Sequence, residues 1–356
     1  MKIVITVSLI SPGGGLTKYV CTLAKILTDT GNNEVWIVTT HPSKTNPELE
    51  NLMQERNIRH ISLSSLSKIR KYFSLISVLR KISPDVLINN YNAPTQYILP
   101  FLHRKIKVVH VLHNNTPDFY RVASINGHYV DRWIAPTPAL MDYFNAYTQG
   151  IYQERVTVIP HGVEVPIVEQ TQRNSVVRLA FVGVLFEHKG VKILPEIIHR
   201  LLAKKYEFHF SFIGEGILRK TLEAELQEEI RNEIVDFTGR ISGEEVYRKL
   251  SNTDILVYPT HIDAFGLVIA EAMINFAVPV VTRLEGITDS LIDDNVNGYL
   301  IEQDDIDAFV AKISCLIEDK ALRDRMSLAA MQKASSCFTS SVMKTNYINF
   351  INRLFV

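Results

Sequence analysis

Both halves of the chain show the same order of apolar and polar positions. Each half begins with a β-branched run, passes through a glycine-containing loop and continues into a stretch with apolar positions at helical spacing. The first half reads KIVITVSL, SPGGGLT, KYVCTLAKILTDTG and then EVWIVTT, with Gly31 ending the helix. The second half reads VRLAFVGVL, FEHKG, VKILPEIIHRLLAKK and then HFSFIGEG. Strands that alternate with helices in this way predict a parallel sheet in each half.

Further β-branched runs extend both sheets. They are DVLINN, VVHVLHN and WIAPT in the first half, and VDFTGRI, DILVYP and VPVVTR in the second. A chain of 356 residues is longer than one hydrophobic core usually supports. We therefore predict an α/β fold with two Rossmann-like, doubly wound domains, residues 1–165 and 174–338, facing each other across a cleft. The polar stretch 163–175 is the predicted linker, and a helical segment at 339–356 is expected to pack back on the first domain.

Composition narrows the class of protein. Hydrophobic residues make up 46% of the chain and charged residues 21%, which excludes a disordered chain. The net charge is zero, although residues 1–166 hold 17 Lys and Arg against 11 Asp and Glu, and the remainder holds 21 against 27. This balance argues against nucleic acid as a partner. The three cysteines have neither CxxC nor metal-ligand spacing, so we expect a reducing, cytoplasmic environment.

Three stretches bear on whether the protein contacts a membrane. The first apolar run has one lysine and no signal-peptidase pattern, and the longest apolar stretch, 265–282, is interrupted by polar residues and proline, so neither predicts a membrane span. Residues 65–85, SLSKIRKYFSLISVLRKISPD, combine apolar positions at helical spacing with lysines and arginines. This pattern is typical of a solvated helix packed on its own domain, or of peripheral contact with anionic lipid at the inner membrane face.

The stretch HIDAFGLVIAEAM, residues 261–273, holds the most specific chemistry. It follows the strand DILVYP, so Phe265 and Gly266 stand where a loop becomes a helix. The free amides of Gly266, Leu267 and Val268 at that helix start would attract a phosphate group. Glu271 lies about one turn further on, where its carboxylate can accept hydrogen bonds from ribose hydroxyls. The alternative is an ordinary loop aspartate, Asp263, with an exposed helical glutamate.

Other strand ends offer further candidates. Gly13–Gly15 form either a structural turn or an anion-binding loop, and a dinucleotide site is disfavoured because Lys18 replaces the third glycine and no acid ends the second strand. Lys189, before Gly190, either lies in a solvated turn or neutralises a diphosphate. His110 and His113 fall on opposite faces of one strand, so we expect the first in the core and the second in the cleft. Residues 305–307, DID, are predicted to cap a helix rather than to bind metal.

With these motifs placed, the chain resembles, almost end to end, retaining glycosyltransferases of the GT-B fold. They belong to the large family 4 (glycosyl transferases group 1), which includes bacterial enzymes of cell-surface polysaccharide synthesis, both capsule and lipopolysaccharide. The most specific match is YPTHIDAFGLVIAEAMINFAVPVV, which resembles the family's E-x7-E segment. Supporting matches are GGG, VIPHGV, FVGVLFEHKG, FIGEG, FTGRIS and NGYLI.

The resemblance implies an acceptor-binding first domain and a nucleotide-sugar-binding second domain. The catalytic residues that it implies are His113, Lys189, Asp263 and Glu271. The donor-binding residues that it implies are Gly14, Gly15, Lys189, Arg240, Ile241, Asp263, Ala264, Phe265, Gly266, Leu267, Val268 and Glu271. Glu271 would hold the ribose, Lys189 and the loop amides the diphosphate, and Asp263 would face the sugar hydroxyls. Neither a metal nor another cofactor is implied.

Three positions depart from the family pattern. Asp263 replaces the usual glutamate, Val184 replaces a common arginine, and Glu285 replaces a glycine of a double-glycine loop. The missing guanidinium removes a charge-assisted contact worth about 1.5 to 3 kcal/mol of donor binding.

The resulting hypothesis is a retaining, metal-independent hexosyltransferase. It would move sugar from a nucleotide diphosphate to a hydroxyl acceptor, foremost a lipid-linked saccharide. A soluble acceptor, a sugar-nucleotide epimerase, and a degenerate protein that binds nucleotide sugar or a partner transferase without turnover remain as alternatives.

Overall fold

The structure of the protein is a computed structural model that describes residues 1–10, 14–29, 33–42, 47–56, 58–165 and 176–356. Gly13, Gly31 and most of the predicted linker, residues 166–175, lie outside the described residues. The chain divides into two compact units. Unit 1 comprises Met1–Gly162 and Ser340–Val356, and unit 2 comprises Val163–Thr339.

Unit 1 is built on a parallel sheet of seven strands in the order β3-β2-β1-β4-β5-β6-β7. Its strands are β1 Lys2–Val7, β2 Glu34–Thr39, β3 Arg59–Ser62, β4 Val86–Asn90, β5 Lys107–Val111, β6 Arg132–Ala135 and β7 Val156–Val158. Its helices are α1 Gly15–Asp29, α2 Pro47–Arg56, α3 Lys68–Ile82, α4 Ala93–Ile98, α5 Pro117–Ser124, α6 Pro138–Tyr147 and, at the end of the chain, α15 Ser340–Arg353.

Unit 2 is built on a parallel sheet of six strands in the order β10-β9-β8-β11-β12-β13. Its strands are β8 Val177–Val182, β9 Phe208–Ile213, β10 Val235–Gly239, β11 Ile255–Tyr258, β12 Val278–Thr282 and β13 Tyr299–Ile301. Its helices are α7 Leu194–Ala203, α8 Arg219–Glu225, α9 Gln227–Arg231, α10 Gly243–Ser251, α11 Leu267–Ile274, α12 Thr288–Leu291, α13 Ile306–Glu318 and α14 Lys320–Cys337.

Each unit has its own hydrophobic core. The central strands are buried along almost their whole length, because helices cover both faces of a doubly wound parallel sheet. Helix α15 contributes Met343, Tyr347, Phe350 and Ile351 to the core of unit 1, and the hydroxyl of Tyr347 hydrogen-bonds that of Tyr19 on α1. The last helix of the chain is therefore part of the first fold unit.

Local sequence explains several element boundaries. Asp305 accepts a hydrogen bond from the Ala308 amide at 2.9 Å, which confirms the predicted helix cap. The helix predicted from Val191 begins as a 3-10 turn, Val191–Ile193, and becomes α-helical at Leu194, with Pro195 in the first turn where its missing N–H is tolerated. No helix in the described ranges has the length and apolarity that a membrane span requires.

Candidate functional site

The candidate site in unit 2 lies at the carboxyl ends of β8 and β11. These strands are neighbours in the sheet although four α-helices and two strands separate them along the chain, and the connections leave them in opposite directions. Such a switch point is where open parallel sheets bind ligands. The loop after β8 brings Lys189, and the loop after β11 brings Asp263 and the start of α11.

Lys189 ends a short 3-10 turn and reaches across to the second loop. Its ammonium lies 3.0 Å from Asp263 Oδ2 and donates to the Ile262 carbonyl at 3.0 Å. It also lies 5.4 Å from the centre of the Tyr258 ring. The two side chains of the ion pair are only 16% and 17% exposed, so solvent screens this pair less than a surface pair. Lys189 is therefore held in place, and the solvated-turn alternative is wrong.

Asp263 uses both oxygens within its own neighbourhood. Oδ1 accepts from the amides of Ala264 at 2.8 Å and Gly266 at 3.1 Å, and Oδ2 accepts from the Tyr258 hydroxyl at 2.8 Å as well as from Lys189. The carboxylate thus fixes the turn that leads into α11. Its predicted contact with sugar hydroxyls remains a prediction, and such a contact has to share oxygens that these donors already use.

Burial and neighbouring charges shift the pKa values of Lys189 and Asp263 in opposite directions. Burial alone lowers the pKa of Lys189, but Tyr258 and Asp263 outweigh it and the net pKa is raised. Burial alone raises the pKa of Asp263, but Lys189 and the hydrogen bonds from Tyr258 and Ala264 lower it overall. Burial, followed by the charge of Asp263, raises the pKa of Tyr258. The site therefore holds an ammonium, a carboxylate and a neutral phenol at neutral pH.

Helix α11 begins at the same place. Gly266 precedes it with a φ of 86°, and the amides of Leu267 and Val268 have no preceding turn of α11 to bond to. Glu271, about one turn further on, is 4% exposed, so the alternative of an exposed helical glutamate is wrong. A glutamate so deeply buried is uncommon in proteins unless its carboxylate is paired.

Gly190 explains how the two loops come so close. A Cβ at this position would lie 1.7 Å from the Pro259 carbonyl oxygen, and its φ is 67°. The amide of His261 also donates to the His188 carbonyl at 3.0 Å. Gly190 was predicted only as a neighbour of Lys189, whereas in the structure the backbone of the other loop occupies the space that a side chain at this position would need.

The remaining predicted donor residues of unit 2 flank this site. Arg240 and Ile241 follow β10, two strands away from β8 at the same edge of the sheet, and Arg240 is exposed. Val184 is 39% exposed just after β8. Glu285 is exposed in the loop after β12.

Unit 1 has a second cluster at its own switch point. His113 follows β5, its Nε2 lies 2.9 Å from Asn90 Oδ1 at the end of β4, and its ring packs edge-on against Tyr19 at 4.8 Å. Burial, then the neighbouring His161 and His110, hold the pKa of His113 well below its usual value. Gly14 and Gly15 lie at the start of α1, which follows the adjacent strand β1.

His110 is a core histidine, as predicted. It is 1% exposed, and its Nδ1 lies 2.9 Å from Gln96 Oε1. Burial lowers its pKa to about 3, so the ring is neutral at physiological pH. Within the described residues, no group of three or more His, Cys, Asp or Glu is arranged to hold a metal ion.

Comparisons with known proteins give similarity across both halves of the chain. The family model described as Glycosyltransferase Family 4 matches residues 13–165, and that described as Glycosyl transferases group 1 matches residues 169–333. The uncharacterized glycosyltransferase MJ1178 of Methanocaldococcus jannaschii is 27% identical over 325 residues, which are 87% of this chain and 86% of that protein.

Two further proteins extend the comparison. The amylovoran biosynthesis glycosyltransferase AmsK of Erwinia amylovora is 24% identical over 254 residues, 69% of this chain and 61% of that protein. The crystal structure of Anabaena HepE in complex with UDP and glucose has a TM-score of 0.81 at 17% identity, covering 99% of this chain and 100% of that chain.

Proposed function

Because the chain belongs to the glycosyltransferases of group 1 and family 4 and has their GT-B fold, we propose that it moves a hexose from a nucleotide-diphosphate donor to a hydroxyl acceptor with retention of the anomeric configuration. The observation that carries the proposal is the position of Lys189. Its ammonium is held at the switch point of unit 2, beside the turn that leads into α11. A cation and helix-start amides together form a site for a diphosphate.

The successive parts of the donor contact different residues at and beyond the start of α11. The diphosphate lies between Lys189 and the amides of Leu267 and Val268, and the ribose hydroxyls donate to Glu271. Arg240 and Ile241 border the base. That HepE was crystallised with UDP supports this class of donor for the present chain.

The proposed chemistry needs no resident metal, because Lys189 and the peptide amides stabilise the charge that develops on the leaving group. The acceptor hydroxyl oxygen forms a bond to the anomeric carbon on the face from which the β-phosphate oxygen departs. The hydroxyl proton passes to that phosphate oxygen. His113 of unit 1 is neutral because its pKa is lowered, and a neutral imidazole can form a hydrogen bond with a sugar hydroxyl.

For the acceptor we propose a lipid-linked saccharide in cell-surface polysaccharide synthesis, at the cytoplasmic face of the membrane. Helix α3 supports this, since Ile69 and Phe73 are 69% and 70% exposed and the basic residues Arg70, Lys71, Arg80 and Lys81 share the helix. Apolar side chains among basic ones favour the surface of an anionic bilayer. The amylovoran-synthesis role of AmsK agrees with such an acceptor.

A donor screen with matched variants tests the proposal. Thermal shift against UDP, GDP, ADP and their sugars identifies the donor, because a ligand that binds the folded state raises its melting temperature. With that donor, Lys189→Ala and Glu271→Ala should each lower turnover at least about tenfold, a loss of roughly 1.4 kcal/mol of transition-state stabilisation. Lys192→Ala is the matched control, since Lys192 is 55% exposed and pairs with Glu187 in the same segment.

The outcomes separate the rival functions. Full turnover by both site variants contradicts the assignment of the site. A nucleotide sugar that stabilises the protein but is neither transferred to any acceptor nor hydrolysed favours the non-catalytic binding protein. Conversion of the donor sugar without acceptor favours an epimerase. An anomeric signal in the product that is inverted relative to the donor contradicts retention.

A further inference from the structure

A pocket of about 280 Å³ opens at the side of the unit 1 sheet where the amino ends of its strands lie, opposite to His113. It lies at the amino ends of β5, β6 and β7, whereas His113 and Gly14 lie beyond the carboxyl ends of β5 and β1. Strand β5 has five residues and so spans roughly 16 Å at about 3.3 Å per residue. The pocket is therefore a separate site within the same unit.

Three arginines line this pocket and are fixed in different ways. Arg132 donates to the Asp131 carbonyl at 2.8 Å, and Arg155 donates to the Val130 carbonyl at 3.3 Å. The guanidinium of Arg104 stacks 4.2 Å from the centre of the Tyr129 ring. A guanidinium has five N–H donors, so each of these contacts leaves most of the donors available.

The negative charge in the pocket wall is already engaged. Asp131 Oδ2 accepts from the Val108 amide at 2.8 Å, and Oδ1 lies 3.6 Å from the Lys107 ammonium. Across the parts of the chain that the structure describes, no carboxylate lies within 4.0 Å of a nitrogen of Arg104, Arg132 or Arg155 in an ion pair. The pocket thus concentrates guanidinium groups that form no ion pair with a carboxylate of the described residues.

We infer that this pocket binds the phosphate group of a phosphate ester. The planar guanidinium group matches the geometry of phosphate oxygens. The positive charge of three guanidinium groups exceeds what a single carboxylate can neutralise. His103 and His128 also line the pocket and supply further nitrogen donors or acceptors. The inference does not depend on the proposed sugar transfer, because it uses none of the donor-site residues.

The phosphate has two possible sources with the same chemistry. One is a soluble phosphate ester, and the other is the headgroup of an anionic lipid. Phe101 lies in the chain between Leu99 and Leu102, which line the pocket; it is 60% exposed, and its carbonyl accepts from Arg80 of α3 at 3.0 Å. An exposed aromatic ring next to a phosphate pocket and a basic helix suits a bilayer surface, so the experiment includes both sources.

The test uses the whole chain and the double variant Arg104→Gln/Arg155→Gln. Both side chains are exposed, so the variant is expected to fold. Arg353→Gln, which removes one charge from an exposed position at the end of α15, is the surface-charge control. Lys189→Ala removes the proposed donor contact and separates the two sites. Binding of glycerol 1-phosphate is measured by calorimetry, and binding to phosphatidylglycerol and phosphatidylcholine vesicles by sedimentation.

We expect binding to weaken about tenfold or more in the double variant, since each lost charge-assisted contact contributes on that scale. Arg353→Gln and Lys189→Ala should bind as the unmodified chain does. Glycerol phosphate binding indicates a soluble ester, and binding only to phosphatidylglycerol vesicles indicates a lipid headgroup. Equal losses in the double variant and Arg353→Gln, or no binding to either probe, overturn the inference. Loss in Lys189→Ala alone would assign the phosphate to the donor site instead.

Discussion

At the residue scale, the two oxygens of Asp263 do different things. Oδ1 holds the amides of the turn before α11, and Oδ2 holds Lys189 and Tyr258. The same carboxylate therefore fixes both the local backbone and the cation proposed to meet the diphosphate. Substitutions that remove one function at a time can separate these contributions.

Asp263→Ala should lower the free energy of unfolding by about 3 kcal/mol, because it leaves a largely buried ammonium without its partner. Asp263→Asn should recover about 1 kcal/mol of that loss, since its amide oxygen still accepts from the turn amides. Urea denaturation followed by circular dichroism measures both. Glu187→Ala breaks only the exposed pair with Lys192 and should leave the midpoint unchanged. Equal losses in the Ala and Asn variants would mean that the turn amides do not depend on Oδ1.

His110 should make unit 1 less stable in acid. Its pKa is about 3 in the folded protein because of burial, while the unfolded chain has a histidine of ordinary pKa near 6.5. The unfolded state therefore binds a proton that the folded state does not, and stability falls as pH falls below about 6.5. Between pH 7 and 5.5 this amounts to about 1 kcal/mol.

The matched variant for this prediction is His110→Gln, which removes the titration at the same position. Unfolding in urea is followed at pH 7 and at pH 5.5 for both proteins. The loss between the two pH values should be about 1 kcal/mol smaller in the variant, whatever its absolute stability. An identical loss in both proteins would show that His110 is not the source.

The sequence predicted which side chains matter but not how they pair. Lys189, Asp263, Glu271 and His113 were identified from their places at strand ends and from the family pattern. The contact between Lys189 and Asp263 joins residues 74 positions apart. It depends on β8 and β11 being adjacent, which no local pattern contains. The hydroxyl of Tyr258 was missed because its position inside DILVYP looks like ordinary strand core.

At the scale of elements, the contact between the loops after β8 and β11 depends on Gly190. Alanine there would place a methyl group 1.7 Å from the Pro259 carbonyl oxygen and would also occupy a left-handed conformation. Gly190→Ala should therefore destabilise unit 2 by at least about 2 kcal/mol and separate Lys189 from Asp263. Turnover should fall with it.

Gly150→Ala is the control for backbone strain. Gly150 has a comparable φ of 74°, but its added Cβ would meet only the side chain of Gln153 at 3.4 Å. This variant should lower the free energy of unfolding by about 1 kcal/mol and leave turnover unchanged. Similar losses in both variants would show that the left-handed conformation, rather than contact between the loops, explains the effect.

Periodicity predicted most elements and misplaced some of their ends. The helix predicted from Lys18 begins at Gly15, and the run VRLAFVGVL is a strand only to Val182. Strands β3 and β7 were not predicted, because four and three residues are too few to show alternation. Short edge strands are defined by the neighbour they pair with, which is information outside the segment.

At the scale of the whole molecule, the predicted fold class is confirmed, with a doubly wound parallel sheet in each half. The order of strands could not be derived from periodicity, because β1 lies beside β4 and β8 beside β11. The right-handed rule for parallel crossovers restricts the choices but leaves several orders open. The sequence therefore predicted parallel sheets without predicting which strands lie side by side in them.

Unit 1 is formed by two separate segments of the chain, and its stability should therefore depend on the last helix. Tyr347 on α15 is buried in the unit 1 core, and Tyr347→Ala should lower the stability of this unit by about 3 kcal/mol, or roughly 6 to 12 °C. Both tryptophans of the chain, Trp36 and Trp133, lie in unit 1, so their fluorescence reports its unfolding alone. Circular dichroism reports both units. Phe212→Ala in the unit 2 core is the reciprocal control, expected to lower the dichroism midpoint of unit 2 while the fluorescence midpoint stays in place. A fluorescence midpoint unaffected by Tyr347→Ala would mean that unit 1 holds its core without the last helix.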